Sequence, residues 1–393
     1  MNPLISVSFY IIMHIILMVG IRACLYSVLA PGKARRNICI AVLAVFACLT
    51  MLPVLGALLP DNPFKFRLQA YGNIWLGFDV YFIMCMLNLS VLTFIIERIR
   101  RRRFYHGAGV ILAVSTVVGL GTMAYGMVHA QHTILTHLSL ESEKPLGADH
   151  KLRIALIGDL HMSVNSKPET IRRMVELMNQ EQPDVVLIAG DILTSSYPAL
   201  KNPEEYAAAL RGLQSRFGVY AVYGNHDVEE TLFGGFPISP ISKAFRTKEI
   251  EQFFRDCGFT VLYDEITEIA DGAVQIAGRV DGEKAGDGTA QRMSAEELLA
   301  GADPGKQLIV LEHEPIDFSN LAKCGADLVL CGHTHAGQIF PGNLIVPFFN
   351  ENAYGLKTID GMDTVVTSGI GYYGPPMRVG TNSEIMIIDL TEK

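Results

Sequence analysis

A Gly-His-Thr-His run, Gly332 to His335, stands directly after the apolar stretch Leu328-Val329-Leu330-Cys331. Imidazole is a common ligand for borderline transition metals, and a glycine before it lets backbone come close to an ion. Four further blocks repeat the pattern of an apolar run that ends in polar, metal-capable groups. Asp159-Leu160-His161 follows Ile154 to Gly158, and Gly190-Asp191 follows Val185 to Ala189. Gly224-Asn225-His226-Asp227 follows Val219 to Tyr223, and Glu312-His313-Glu314-Pro315 follows Leu308 to Leu311. The chain has 11 histidines, and past residue 150 every one of them (His161, His226, His313, His333, His335) lies in these blocks. Core histidines satisfied by backbone explain one or two such placements but not five. The pattern sets the candidate ligands along the carboxyl edges of a sheet, where open α/β folds keep their sites.

The elements that must hold these blocks follow from periodicity. Strands are expected at 152–157, 184–189, 218–223, 259–262, 273–279, 307–311 and 327–331. Helices are expected from Pro168, with Ile171, Met174, Val175 and Met178 on one face, from Pro203, near 247–257 and at 294–300. Short β runs at 344–348, 363–367 and 384–390 complete an α/β sandwich with its helices outside. The Gly/Pro-rich segment 229–246 has no regular period and reads as a long, substrate-facing loop. Its Leu232, Phe233, Phe236 and Ile238 pack in an ordinary buried loop or offer apolar contact for an acyl or isoprenoid chain.

The chain is 393 residues long, 50% hydrophobic and only 18% charged. Residues 1–130 hold 11 Lys/Arg against 3 Asp/Glu, and the remainder 21 against 37, so a cationic apolar part joins an acidic one. No basic footprint for nucleic acid exists in the acidic part. The seven cysteines show no Cys-x-x-Cys and no disulfide framework. Residues 4–30, 38–59, 71–96 and 107–128 are apolar stretches near or above the roughly 20 residues that cross a bilayer. The expectation is an all-α four-helix transmembrane region over 1–130, a polar linker over 131–150 and a second domain over 151–393. His129, just before that linker, and His132 and His137 within it read as hydrated. Asp79 is the one acid inside a span, placed where it can reach the interface. Lys33, Arg35, Arg36, Arg98 and Arg100 to Arg103 put the first and third loops in the cytoplasm. The protein is then a multi-pass membrane protein whose second domain is extracytoplasmic.

The five blocks, in this order, resemble the calcineurin-like metallophosphoesterase superfamily. The resemblance covers about 151–390. Thr367-Ser368-Gly369-Ile370-Gly371 with Pro376, Arg378 and Gly380 resembles its bacterial membrane-associated phosphodiesterase branch. The resemblance implies a four-layer αββα sandwich and a metal-dependent phosphoester hydrolase with two divalent ions, each Mn, Fe, Zn or Co. One ion would take Asp159, His161, Asp191 and His335; the other would take Asp191, Asn225, His313 and His333, with Asp191 bridging. Hydrolysis would proceed by metal-activated hydroxide. His226 would face the phosphoryl group, Asp227 would orient its ring, and Arg378 is the candidate for a phosphate contact. The sequence departs from the family at Ile192, Leu193 and Thr194, where an acid often follows the Gly-Asp block. A bilayer-anchored site points to a lipid-linked or envelope phosphoester as substrate. A nucleotide phosphodiesterase tethered by its helices is the alternative, and a membrane sensor or transporter with a regulatory metal-binding domain is a third reading. Since no motif block falls in 1–130, the second domain is expected to fold and cleave small diesters without the helices.

Overall fold

The computed structural model describes residues 3–101, 107–234 and 236–393. Arg102 and Arg103, used above for orientation, lie outside the described residues. The chain begins with four helices: α1 (Pro3–Val28), α2 (Lys33–Leu58), α3 (Pro63–Arg100) and α4 (Gly107–His129). All four are long and apolar enough to cross a membrane. The third and second reach beyond their expected bounds because flanking polar residues continue the helix. Asn62, for example, caps α3 by accepting from the Phe64 and Lys65 amides. Ile21, Phe46, Trp75, Phe78, Phe82 and Ile111 pack at the centre of the bundle. Phe9, Ile16, Ile40 and Val117 are exposed, as lipid-facing side chains would be.

Asp79 is not open to solvent. It is buried, and His14 of α1 sits against it, Nε2 to Oδ2 at 2.7 Å, while His14 Nδ1 donates to the Tyr10 carbonyl at 2.8 Å. The pair joins α1 to α3 through two groups that each need the other out of water. Breaking a buried pair from one side costs about 3–5 kcal/mol. His14→Ala is therefore expected to lower the melting temperature of the detergent-solubilised protein well beyond Phe9→Ala, whose side chain is exposed. Equal shifts would show that the pair is not a staple.

The remaining elements are β1 (Thr133–Ser142), β2 (Lys151–Ile157), α5 (Pro168–Gln180), β3 (Val185–Ala189), α6 (Pro203–Leu210) and β4 (Val219–Val222). A small hairpin follows, β5 (Leu232–Phe233) and β6 (Phe236–Pro237), then α7 (Lys248–Asp256), β7 (Thr260–Val261), β8 (Glu265–Ile269) and β9 (Val274–Gly278). After these come α8 (Ala295–Leu299), β10 (Gln307–Leu311), α9 (Phe318–Lys323), β11 (Leu328–Cys331), α10 (Gly342–Ile345), β12 (Gly355–Ile359), β13 (Met362–Val366) and β14 (Ser383–Glu392). Two six-stranded sheets result, ordered β1-β14-β2-β3-β4-β7 and β12-β13-β11-β10-β9-β8.

Alternation along the strands explains the layers. Leu152, Ile154 and Leu156 of β2 point into one core with Ile276, Ile309, Leu330 and Val365 of the second sheet. Ala155 and Ile157 point the other way, against Met174 and Met178 of α5 and Phe253 and Phe254 of α7. On the far side Leu298, Leu299, Phe318 and Leu321 of α8 and α9 cover Val310 and Val329. Burying each such side chain is worth roughly 1.5–3 kcal/mol. This is the expected four-layer αββα sandwich.

Two expectations are corrected and one alternative is decided. The stretch 131–150 is not simply a linker: β1 pairs in parallel with β14 along ten residues, from Thr133↔Ser383 to Ser142↔Glu392. Residues 344–348 are helical, because Gly342 opens a turn that Pro347 then carries into a 3-10 turn. Of the two readings of the segment 231–239, the buried loop holds for Phe233 and Ile238. With residues 374–377 it belongs to the helical unit, where Phe233 and Ile238 are buried against Tyr10, Val54 and Ala57. Gly235 of that segment lies outside the described residues. The sandwich is thus not a self-contained stretch of chain, and a protein starting near 131 leaves those apolar side chains without their packing partners.

Candidate metal centre

Five parallel strands deliver the blocks. Asp159 lies just past β2, Asp191 past β3, Asn225 past β4, His313 past β10 and His333 past β11. The carboxyl edges of both sheets meet there: His313 Nδ1 donates to the Ala189 carbonyl at 2.7 Å, and the His333 amide donates to Asp159 at 3.0 Å. Asp159, His161, Asp191, His333 and His335 all have positive φ, between 45° and 74°. Residues other than glycine rarely adopt that conformation, and it costs about 1–3 kcal/mol each. The turn geometry that aims the five side chains inward is held by the packed strands behind them.

The side chains converge. Asp159, His161 and His335 form one group able to hold an ion, and Asp159, Asp191 and His313 form a second. Asp191 Oδ2 lies 3.4 Å from His161 Nε2 and 3.1 Å from His313 Nε2, so one oxygen reaches both sides of the cluster. Asp191 Oδ1 is occupied by the His226 amide at 2.8 Å. Asn225 Oδ1 and His333 Nδ1 approach His313 Nε2 at 3.1 and 3.2 Å. Glu283 accepts from Asn225 Nδ2 at 2.6 Å, which turns the amide oxygen toward the cluster. All seven residues read from the sequence as ligands are brought together.

Burial tunes the donors. It pushes His161 and His333 down to about 3 and holds His335 well below the usual imidazole range, with Arg378 adding to the effect on His335. Neutral imidazoles keep their lone pairs for an ion. Burial, with Asp191 nearby, pushes Asp159 up to about 7. For Asp191 burial is outweighed by His313, His226 and His161, which hold it well below the usual carboxylate range. Two carboxylates packed this closely favour a cation between them. The donor set of carboxylates, imidazoles and one amide fits divalent transition metals.

Two glycines have no substitute. A Cβ on Gly224 would stand 2.2 Å from Asp191 Oδ1, and one on Gly332 would stand 2.6 Å from Asp159 Oδ2. Gly224→Ala is expected to fold, judged by its far-ultraviolet spectrum, yet to bind less than half the wild-type metal. Full metal content in that variant would show that the loop can give way at no cost.

One expected role fails. The Asp227 carboxylate does not touch the His226 ring; it accepts from the Leu193 and Gly224 amides at 2.8 and 2.9 Å and so ties its own loop to the one after Asp191. Arg378 is fully buried beside His335, at 3.4 Å from its Nδ1, and its Nη2 donates to the Ser368, Gly369 and Gly371 carbonyls, so it clamps a loop at the edge of the cluster. Tyr373, Glu230, Lys284 and Glu283 were not read from the sequence. Tyr373 stacks on the His226 ring at 4.5 Å between centroids. None of the four lies at a strand end, and only their tertiary contacts reveal them.

Residues 152–337 match a family model described as calcineurin-like phosphoesterase. Over 249 residues the chain is 31% identical to an uncharacterized metallophosphoesterase of Helicobacter pylori, covering 62% of this chain and 61% of that one. A transmembrane protein with metallophosphoesterase domain from Danio rerio is 30% identical over 285 residues, 68% of this chain and 60% of its own. An uncharacterized metallophosphoesterase of Aquifex aeolicus is 29% identical over 275 residues, 69% of this chain and 96% of its own. The chain spans about three fifths of the length of the first two relatives. Motif order, sandwich and sequence match agree: this chain carries a calcineurin-like phosphoesterase domain.

Proposed function

We propose that this chain is a membrane-held, metal-dependent phosphoesterase acting on a lipid-linked or envelope phosphoester at the bilayer surface. The observation that carries the reading is the convergence of seven buried or half-buried ligand-type side chains on one another, with Asp191 Oδ2 within reach of both His161 and His313. Asp159, His161, Asp191 and His335 would hold one divalent ion, and Asp191, Asn225, His313 and His333 a second. Mn, Fe, Zn or Co suits this mixed nitrogen and oxygen set. When bound, the ions supply Lewis acidity toward phosphoryl oxygens and a nucleophile at neutral pH.

The protein supplies the rest. His226 carries a proton to the leaving oxygen. Glu283 and the Ala189 carbonyl fix Asn225 and His313 so that neither ligand must reorganise during the reaction. The helices set the address. Lys33, Arg35, Arg36, Arg98, Arg100 and Arg101 favour cytoplasmic first and third loops, with the sandwich on the opposite side of the membrane. A tethered site meets an amphiphilic phosphoester at a raised effective concentration.

The test uses the full chain in detergent, loaded with Mn or Zn. Hydrolysis of bis-p-nitrophenyl phosphate is expected, with a lipid phosphoester turned over faster than a nucleotide. No hydrolysis of any ester would end the enzyme reading. Nucleotides cleaved in preference to lipid phosphates would end the lipid one. A carboxyl-terminal reporter active only in the cytoplasm would reverse the orientation.

A further inference from the structure

His226 needs a partner for the ring nitrogen that does not face substrate, and the adjacent acid, Asp227, has both carboxylate oxygens engaged by backbone amides. A different carboxylate lies at the ring. Glu230 Oε1 is 3.3 Å from His226 Nδ1, and its side chain is wholly buried. Between them stands Ser195, whose Oγ is 2.7 Å from Glu230 Oε1 and 3.1 Å from His226 Nδ1. Lys284, itself buried, reaches both Glu230 oxygens at 3.0 Å.

The backbone locks the group together. The Ser195 amide donates to the His226 carbonyl at 2.9 Å, and the Glu230 amide donates to the Ser195 carbonyl at 3.1 Å. Lys284 is set by its own turn, where Asp281 Oδ1 accepts from the Lys284 amide at 2.7 Å. A buried Lys–Glu pair brings little net stability once its desolvation is counted. Its place beside the one site histidine that is not a ligand asks for a functional account.

Proton counting gives one. Glu230, ionised against Lys284, can only accept. The single hydroxyl proton of Ser195 therefore goes to Glu230, and the Ser195 oxygen turns a lone pair toward His226. Nδ1 must then carry a hydrogen, donated to Ser195 and Glu230 together. Nε2 is left as the nitrogen that exchanges a proton with substrate.

We infer that Glu230, braced by Lys284 and relayed through Ser195, is the positioning residue for His226. It holds the Nδ1–H tautomer and the ring orientation, while Tyr373 holds the ring face. Sequence adjacency pointed to Asp227 because a carboxylate next to a histidine reads as its partner; the turn points that carboxylate into backbone instead. The inference rests on the phosphoesterase reading for its catalytic meaning. In the proton step the ring carries hydrogen on both nitrogens, the one on Nε2 taken up from solvent. The Nε2–H bond breaks as the leaving oxygen gains that hydrogen and its bond to phosphorus breaks, and the ring is left in the Nδ1–H form. The Nδ1 hydrogen stays where Glu230 keeps it.

Two readouts test this on the full chain. In Zn-loaded protein carrying 15N-histidine, with His226→Gln used to assign the signal, the His226 ring is expected to show protonated Nδ1. Glu230→Gln is expected to convert it to a mixture of tautomers. A ring protonated on Nε2 alone in wild type, or an unchanged ring in the variant, overturns the inference whether or not the protein turns over an ester. The second readout is hydrolysis of aryl methyl phosphates whose leaving groups run from p-nitrophenolate to phenolate. Glu230→Gln is expected to keep its metal and its KM, and to lose about 10-fold in kcat with p-nitrophenolate but on the order of 10²–10³-fold with phenolate, within the span of a lost acid group. Asp227→Asn is expected to lower the melting temperature without steepening that dependence. A uniform loss across leaving groups, or a steepening in Asp227→Asn instead, assigns Glu230 a merely structural role. Wild-type protein inert toward every ester, with the tautomer result intact, overturns the phosphoesterase reading and leaves the positioning of His226 standing.

Discussion

Asp191→Asn is expected to lower ester hydrolysis by on the order of 10³-fold or more, the range for loss of a preorganised charge at a reacting centre, and to strip metal from both halves of the cluster. The substitution keeps size and shape. It removes the one charge whose Oδ2 lies within 3.4 Å of both His161 and His313, and it turns an acceptor pair into a carbonyl and an amide. Asn225→Ala removes a neutral ligand from one side only, so it is expected to cost less activity and to leave the Asp159–His161–His335 group able to hold an ion. Metal analysis and turnover measured together decide the matter. If Asn225→Ala matches or exceeds Asp191→Asn in both, the shared ligand is another residue, with Asp159 the first to examine because it belongs to both groups.

The second large effect is expected at His226. His226→Ala is expected to keep its metal while turnover falls by about 10²–10⁴-fold, as for a lost acid–base group. The structural reason for intact metal is specific: the histidine reaches the ligand Asp191 through its backbone amide, which alanine also provides. The ring itself faces Ser195, Glu230 and Tyr373. Loss of metal in this variant would make the ring a ligand and remove it from the role of acid.

What the sequence disclosed and what it hid follow from range. A buried parallel strand announces itself locally as an apolar run, so β2, β3, β4, β10 and β11 and the polar groups at their ends were legible one block at a time. The four membrane-length helices were legible for the same reason. β1 was not: Thr133 to Ser142 is a polar-apolar edge strand whose partner lies 250 residues downstream, and nothing near it in sequence speaks for β14. His14 against Asp79 is a contact between helices 65 residues apart. Glu230 and Lys284 sit in irregular segments where side-chain direction has no period to read. Asp227 misled in the opposite way, since residue type suggested chemistry while backbone amides had already claimed its carboxylate.

The place of β14 has a consequence for how the molecule is made. Strand β14 lies between β1 and β2, joined to one in parallel and to the other antiparallel. A ribosome releases residues in order, so β1 and β2 are complete while the strand that joins them is still unmade. Their facing edges stay open through the synthesis of more than 220 residues, and such edges invite wrong pairings. A chain that stops at residue 380 would carry every ligand of the metal cluster and still lack the strand that closes its first sheet. Its fate is expected to be aggregation or proteolysis, so residues 383–392, which hold no proposed ligand, are needed to close the first sheet.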